Sequence, residues 1–246
     1  MSFGCEILKR IKGYVSTEVD AALSFNKNET VRRAKRIIAL YEQAGVSSDR
    51  VLIKIATTWE GIKAAEILAE SNIKVNMTLI FHLVQAVACA NSKLFLISPF
   101  IGRILDWNKK EFGKTYENPL EDPGVVFVTD IFNYYCSHNI KTIIMGASFR
   151  NTDEIKYLSG VDRLTIAPAL LDKMQECKGE VPLRLNKEEA AKLNIKDIDA
   201  SEEGFRHQMN KSKMATDLFS AGIRTFEDAG IELKELIRKT ILEKKA

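Results

Sequence analysis

Short runs of apolar residues alternate with segments of helical periodicity along most of the chain. The runs are rich in β-branched residues and have the length of ordinary strands, which is typical of buried strands. Apolar residues recur every three or four positions after each run, which predicts six strand-then-helix units. The six predicted strands are residues 14–21, 51–57, 75–81, 94–100, 142–147 and 164–167.

Helices are predicted between these strands and after the last one. The predicted helices are 30–44, 59–70, a segment ending near 91, a short helical turn at 102–107, 125–137, 152–158 and 169–176. Residues 178–204 are charged and irregular, and one short helix is expected there. Two further helices, at 212–226 and 231–244, are predicted to close the chain.

Alternating units of this kind predict an α/β fold, with a parallel sheet and helices outside it. The pattern is compatible with a doubly wound sheet or with a TIM-type (β/α)8 barrel. A closed barrel needs eight strands, and this sequence supplies six. A length of 246 residues fits one sizeable α/β domain, which we expect to span residues 1–246.

Composition and charge narrow the class of protein. The chain has 46% apolar and 28% charged residues, which is ordinary globular composition. Its net charge of +3 is too small to indicate a nucleic-acid or membrane-surface partner. No run approaches the ~18 apolar residues of a membrane span. The basic segment 234–245 is expected to be the solvated face of a terminal helix.

Cysteine and histidine usage gives no indication of a metal site. The four cysteines and three histidines are scattered without metal-ligand spacing, so no metal or other cofactor is expected. Dispersed thiols fit the reducing cytoplasm, and the N-terminus lacks the apolar segment of a secretion signal.

Lys54 stands inside an apolar run, Val-Leu-Ile-Lys-Ile-Ala, that is predicted to be a buried strand. A charged lysine in such a place is costly because its ammonium group has left water. The uncharged amine that burial favours is a nucleophile for carbonyl compounds. The alternative is a structural lysine near a strand end, with its amine reaching solvent.

The segment around Lys54, residues 51–68, closely resembles the active-site lysine segment of the long-form transaldolases of eukaryotes and bacteria. Further blocks match the same family in the same order, from about residue 3 to residue 240, most weakly between 177 and 215. These blocks are Val15-Ser-Thr-Glu18-Val-Asp20, Asn76-Met-Thr78-Leu, Leu96-Ile-Ser98-Pro-Phe100-Ile-Gly102-Arg103-Ile-Leu-Asp106-Trp107, Glu121-Asp-Pro-Gly124, Met145-Gly-Ala-Ser-Phe149-Arg150-Asn151 and Asp162-Arg-Leu-Thr165-Ile-Ala-Pro168.

The resemblance implies catalytic roles for three residues and a binding role for a fourth. Lys54 would form a Schiff base with the substrate, and Glu18 would activate the water needed to form and break it. Asn76 would hold a substrate hydroxyl group, and Thr78 would hold the catalytic water. By alternation, Asn76 and Thr78 share one strand face, as do Glu18 and Asp20. Structural alternatives are a Glu18–Lys54 salt bridge and an Asn76–Thr78 polar pair.

The resemblance also implies a substrate and phosphate pocket. Ser98, Arg103 and Arg150 match the family's contacts to substrate and phosphate, and Phe100 would form a wall of the pocket. An arginine fork suits a phosphate group. The alternative for Arg103 is a helix-face charge paired with Asp106, three residues on. Trp59 and Trp107 are expected to be packing residues.

Two features depart from the family pattern. The family's first two strands, which supply an acid/base aspartate and a substrate-binding asparagine, have no counterpart here. His82 and Leu83 stand where close members have serine and phenylalanine, and His82 is expected in a first helical turn.

Six strands could be accommodated by an open sheet, by a homodimer, or by an upstream segment outside this sequence.

The resemblance implies a transferase of the non-oxidative pentose phosphate pathway. A dihydroxyacetone unit would move from sedoheptulose 7-phosphate to glyceraldehyde 3-phosphate without a cofactor. The partners would be sugar phosphates, with no nucleic acid or membrane involved. The alternative is a truncated, catalytically impaired paralogue that binds sugar phosphates or another subunit.

Overall fold

Six short strands form one parallel sheet in sequential order in the computed structural model, which describes residues 1–243. The strands are β1 (Val15–Glu18), β2 (Val51–Ala56), β3 (Val75–Ile80), β4 (Leu96–Pro99), β5 (Ile143–Ala147) and β6 (Arg163–Thr165). A doubly wound sheet would reverse its strand order at a switch point. The sheet instead curls into a half-barrel, as the prediction of an incomplete TIM-type barrel with six βα units requires.

Eleven α-helices and three short 3₁₀ helices occur within the described part of the chain. The α-helices are α1 (Ser2–Leu8), α2 (Lys27–Gln43), α3 (Trp59–Glu70), α4 (Leu83–Asn91), α5 (Ile101–Phe112), α6 (Pro123–Ser137), α7 (Thr152–Tyr157), α8 (Pro168–Glu176), α9 (Lys187–Ala190), α10 (Glu202–Lys211) and α11 (Lys213–Glu243). None of these helices is both long and apolar enough to cross a membrane.

The two faces of the sheet differ in chemistry. Along β2, Val51, Ile53 and Ile55 are buried in the apolar core beneath the outer helices. The alternate positions face the concave side, because side chains of a strand point in turn to opposite faces. Glu18, Lys54 and Asn76 are register partners on three neighbouring strands, so their side chains share that side.

A tight turn joins β2 to α3 and fixes the end of the Lys54 strand. Thr58 caps α3 by accepting a hydrogen bond from the Gly61 backbone at 2.8 Å. A Cβ atom on Gly61 would lie 2.2 Å from the Ala56 carbonyl oxygen, so only glycine permits this approach. The helix therefore returns directly over the end of its strand.

The prediction that two separate helices, at 212–226 and 231–244, close the chain was wrong. One continuous helix, α11, runs from Lys213 to Glu243, and the predicted end at residue 244 lies outside the described residues. The predicted turn at 102–107 is a full helix, α5, which ends at Gly113 in the left-handed region. The irregular segment holds α9 as expected, and α10 follows it as an additional helix.

Candidate active site

Lys54 and Glu18 form an ion pair on the concave side of the sheet. The Lys54 Nζ atom lies 2.9 Å from Glu18 Oε2, and the two side chains are 22% and 30% exposed. Both residues lie near the carboxyl ends of β2 and β1, the end at which barrel enzymes build active sites. The amine is therefore not buried in apolar core, as the run around it suggested, but is partly exposed beside the Glu18 carboxylate.

A hydrogen-bonded network continues across the neighbouring strands. Ser98 Oγ donates to Asn76 Oδ1 at 2.7 Å, and Asn76 Nδ2 donates to Ser16 Oγ at 3.1 Å. The structural alternative was an Asn76–Thr78 pair. The partners of Asn76 are instead two serines. Thr78 Oγ1 is buried and makes no hydrogen bond within residues 1–243. An unpaired buried hydroxyl is costly, and such groups occur where a ligand or water completes them.

Aromatic rings surround the two cationic side chains of this face. The Phe226 ring centroid lies 4.8 Å from Lys54 Nζ and 5.5 Å from the Arg103 guanidinium carbon. The Phe100 ring lies 5.0 Å from the same Arg103 carbon and packs edge-on against Phe81. Phe226 belongs to α11, which packs against the end of β3 so closely that a Cβ on Gly222 would be 2.7 Å from Leu79.

Arg103 and Arg150 approach each other beyond these rings. Arg150 Nε donates to Asp106 Oδ2 at 2.8 Å, and its Nη1 donates to the Ser148 carbonyl at 3.0 Å. Burial lowers the pKa of Arg103, and the nearby charge of Arg150 lowers it further. Asp106 thus pairs with Arg150, so the salt bridge considered for Arg103 does not form. Two neighbouring guanidinium groups favour an anion between them.

Open space adjoins Arg103. A groove of about 740 Å³ runs between α5 and α11 and is lined by Arg103, Trp107 and Arg224, among others. The Trp107 indole donates to Asp217 of α11 at 3.1 Å, so this ring joins the two helices. Trp59 packs against Phe205 of α10, as predicted, whereas Trp107 packs against Phe112 and also lines the groove. The groove gives a polar substrate room beside Arg103.

His82 caps the helix that follows β3. Its Nδ1 atom accepts a hydrogen bond from the Val84 backbone at 3.1 Å, and Gln85 completes a capping box. Burial lowers the pKa of His82, which favours the neutral ring that such an acceptor requires. His82 was predicted in the first helical turn but is the N-cap residue, one position before the helix begins. Its ring caps the helix.

Two buried carboxyl groups lie near each other at the starts of α7 and α6, and the one on α7, Glu154, contacts Arg150. Glu154 is 1% exposed and Asp122 is 4% exposed. Burial raises the pKa of Glu154 to about 7, and the nearby Asp122 adds to the effect, although the Arg150 backbone N–H opposes it. Burial also raises the pKa of Asp122. Glu154 therefore retains its proton in the folded protein at pH values where an exposed glutamate is ionised.

This buried proton predicts a pH dependence of stability. The pKa of Glu154 is about 7 in the folded protein and 4.5 in an exposed glutamate. Between pH 4.5 and pH 7, the folded state therefore binds this proton more tightly than the unfolded state does. Its contribution is complete below about pH 4.5 and is lost as the pH rises through 7, by roughly 3 kcal/mol. Urea unfolding at pH 5 and pH 8 should show this loss in the wild type but not in Glu154→Gln. An equal loss in both proteins would contradict the assignment.

Several residues of the site carried no sequence signal of their own. Phe226 was predicted as a helix end, and Ser16, Asp106 and Glu154 were not predicted as site residues. Each is recognisable only from its neighbours in space, since Phe226 is contributed by a helix far along the chain from Lys54. Within residues 1–243, no group of three or more metal-ligating side chains is arranged to hold a metal ion.

Comparison with known proteins identifies the family. The chain is 52% identical over 244 residues to a protein named Transaldolase from Saccharomyces cerevisiae, covering 98% of this chain and 72% of that protein. It is 49% identical over 241 residues to one so named from Rhizobium etli, covering 98% and 74%. One from Prochlorococcus marinus is 52% identical over 241 residues, covering 98% and 72%. Residues 1–237 match the family described as Transaldolase/Fructose-6-phosphate aldolase. The chain therefore belongs to the transaldolase/fructose-6-phosphate aldolase family.

Proposed function

We propose that this protein transfers a dihydroxyacetone unit from sedoheptulose 7-phosphate to glyceraldehyde 3-phosphate through a Schiff base on Lys54. This reaction belongs to the non-oxidative pentose phosphate pathway. The observation that carries the proposal is the 2.9 Å pair of Lys54 and Glu18 at the carboxyl end of a parallel sheet. Relatives of about 50% identity that are named transaldolase support it.

The proton transfers of Schiff-base formation use Glu18. Its carboxylate takes a proton from the Lys54 ammonium group, and the free amine attacks the ketose carbonyl carbon. The attacking nitrogen then passes one of its protons to the carbonyl oxygen, and Glu18 returns the first proton to the resulting hydroxyl group, which leaves as water. Thr78 Oγ1, which is buried and makes no hydrogen bond in the described chain, holds this water against Glu18.

The iminium group on Lys54 then acts as the electron sink for carbon–carbon cleavage. The electron pair of the C3–C4 bond moves into the iminium as the C4 hydroxyl gives its proton, through water, to the Glu18 carboxylate, which releases an aldose phosphate. The remaining three-carbon enamine attacks the carbonyl carbon of the acceptor aldehyde, Glu18 returns the proton to the new alkoxide, and hydrolysis frees Lys54. Asn76 and Ser98 hold the hydroxyl groups of the bound unit, since they lie beside Lys54 and Thr78 in the strand register.

The phosphate group lies between Arg103 and Arg150. Arg150 currently contacts Asp106, which an incoming phosphate would have to displace in part. A dianionic phosphate competes well for a guanidinium fork, because hydrogen bonds between charged groups are the strongest available. The phosphate then fixes the distance from the sugar carbonyl to Lys54.

Borohydride trapping tests the proposed reaction. The protein is incubated with fructose 6-phosphate and borohydride, and the adduct is identified by intact mass and peptide mapping. A three-carbon adduct on Lys54 is expected, because cleavage follows imine formation. An adduct of the whole hexose would show that cleavage fails, and no adduct would contradict the Schiff base. Adding erythrose 4-phosphate without borohydride distinguishes transfer, which yields sedoheptulose 7-phosphate, from release of free dihydroxyacetone.

Replacing Arg150 with alanine should raise KM for fructose 6-phosphate by about 10- to 100-fold, the usual cost of losing a charged hydrogen bond. KM for unphosphorylated fructose should change by less than about threefold, because it lacks the group that Arg150 contacts. Arg36→Ala removes an exposed arginine of α2 and is the matched control. An equal rise in KM for both sugars in Arg150→Ala would contradict the assignment of Arg150 as a phosphate contact.

A further inference from the structure

The segment Ser148 to Asn151, between β5 and α7, is an unusual turn. Ser148 has a φ of +66°, a left-handed conformation that side-chain-bearing residues rarely adopt. Its carbonyl oxygen accepts hydrogen bonds from the Gly102 backbone at 3.0 Å and from Arg150 Nη1 at 3.0 Å. Such strained turns persist only where the surroundings over-determine them, and they cluster at functional sites.

One side of this turn is packed against α5. A Cβ atom on Gly102 would lie 2.4 Å from the Ser148 oxygen and 2.5 Å from Arg150 Cγ. The aliphatic stem of Arg150 therefore rests on the glycine and cannot move further in that direction. The same helix carries Asp106, so α5 limits the Arg150 side chain at two points.

The other side of the turn is held by Glu154. Its Oε2 atom accepts a hydrogen bond from the Arg150 backbone N–H at 2.6 Å. In return, Asn151 Oδ1 accepts from the Glu154 backbone N–H at 2.9 Å and caps α7. The turn is thus held on both sides: Gly102 contacts the Ser148 carbonyl and the Arg150 side chain, and the Glu154 carboxyl group binds the Arg150 backbone.

Helix capping alone does not account for this arrangement. A capping glutamate ordinarily lies in water, whereas Glu154 is 1% exposed and its Oε1 atom has no hydrogen-bond partner in the described chain. A second buried carboxyl group, Asp122, lies close enough to act on it electrostatically. Burying such a group without full pairing opposes folding, so a purely structural cap would be better placed at the surface.

We propose that Glu154 is a positioning residue for Arg150, whose buried carboxyl group fixes the backbone turn that presents the guanidinium to a phosphate. The inference rests on the proposed function only in taking Arg150 as a phosphate contact. Glu154 does not reach the substrate itself. Its effect is therefore confined to affinity for the phosphate group and leaves the chemistry at Lys54 unchanged.

Binding of inorganic phosphate, measured by calorimetry, tests this role without requiring turnover. Glu154→Ala removes the acceptor, and Glu154→Asp withdraws it by one methylene with a smaller risk to folding. Glu154→Gln keeps an acceptor oxygen at the same reach. Asn186→Ala, which removes the cap of α9, is the control for helix-cap loss away from the turn. Circular dichroism establishes that each variant is folded.

The expected result is a Kd for phosphate raised about tenfold in Glu154→Ala and Glu154→Asp, and within about twofold of wild type in Glu154→Gln and Asn186→Ala. KM for fructose 6-phosphate should follow the same order while kcat stays constant. Unchanged Kd in Glu154→Asp, an equal loss in Asn186→Ala, or no phosphate binding by the wild type would each overturn the proposal.

Borohydride trapping by the wild type separates this inference from the proposed function. If the wild type traps no substrate but Glu154→Ala and Glu154→Asp bind phosphate more weakly, the positioning role is supported and the transaldolase reaction is contradicted. If the wild type traps substrate on Lys54 but Glu154→Ala and Glu154→Asp bind phosphate as tightly as the wild type, the reaction is supported and the positioning role is contradicted.

Discussion

Replacing Lys54 with alanine is expected to abolish the borohydride-trapped adduct and to lower turnover of fructose 6-phosphate by roughly 10⁴-fold or more. Without the amine no iminium forms, and the electron pair of the breaking bond has no acceptor. The fold should persist, because the Lys54 side chain is 22% exposed and its partner Glu18 is 30% exposed. A free Glu18 carboxylate can therefore remain hydrated.

A second lysine of the barrel provides the matched control. Lys74 lies just before β3, at the opposite end of the sheet, with its side chain 30% exposed and its amine 3.1 Å from Asp49. Like Lys54, it also lies over an aromatic ring, that of Tyr14. Lys74→Ala should leave adduct yield and turnover within about twofold of wild type. A substrate adduct on Lys54→Ala, at any other lysine, would contradict the assignment.

The face shared by the site residues was predictable from local pattern, whereas the strand order was not, because the pattern is compatible with a doubly wound sheet or with a barrel. Period-two alternation places Lys54 and Asn76 on the same side of neighbouring strands, and parallel strands bring their ends to one edge. In the structure, Glu18 is the register partner of Lys54, and Lys54 is the register partner of Asn76. The alternation of apolar and polar residues within a short strand is enough to show which of its side chains share a face of the sheet.

The helix ends were less predictable because their signals conflict. A break was predicted between residues 226 and 231, where Gly230 interrupts the helical pattern, but α11 continues through it. A Cβ on Gly230 would meet nothing within 4 Å, so this glycine has no packing role and costs about 1 kcal/mol. The buried residues of α11, Ala215, Gly222 and Ile223, all precede Gly230, and the helix continues through this glycine although the segment beyond it is exposed.

The walls of the site could not be predicted from spacing at all. Phe226 reaches Lys54 only because α11 crosses the carboxyl ends of the strands. Likewise, Asp106 sits one helical turn from Arg103, which favours a local pair, yet it bonds to Arg150. Such contacts depend on how whole helices pack, and sequence periodicity sets only which face of each helix is apolar.

Replacing Glu18 with glutamine is expected to lower kcat by roughly 10²- to 10⁴-fold, the usual contribution of a positioned acid/base. Glutamine keeps the size and the hydrogen-bonding oxygen of Glu18, so Lys54 keeps a neighbour, but it cannot take up or return a proton. Schiff-base formation should slow accordingly. Given enough time, trapping should still reach the wild-type adduct on Lys54, because the amine itself remains.

Rapid-quench trapping separates these two quantities, since it measures the rate and the final yield of adduct in one time course. The control is Glu66→Gln, which neutralises a comparable pair on α3, where Lys63 lies 2.8 Å from Glu66 and the side chains are 36% and 33% exposed. It should trap at the wild-type rate. A Glu18→Gln protein that traps within about threefold of that rate would show that the Glu18–Lys54 pair is structural, because a proton carrier cannot be removed from the slow step without slowing it.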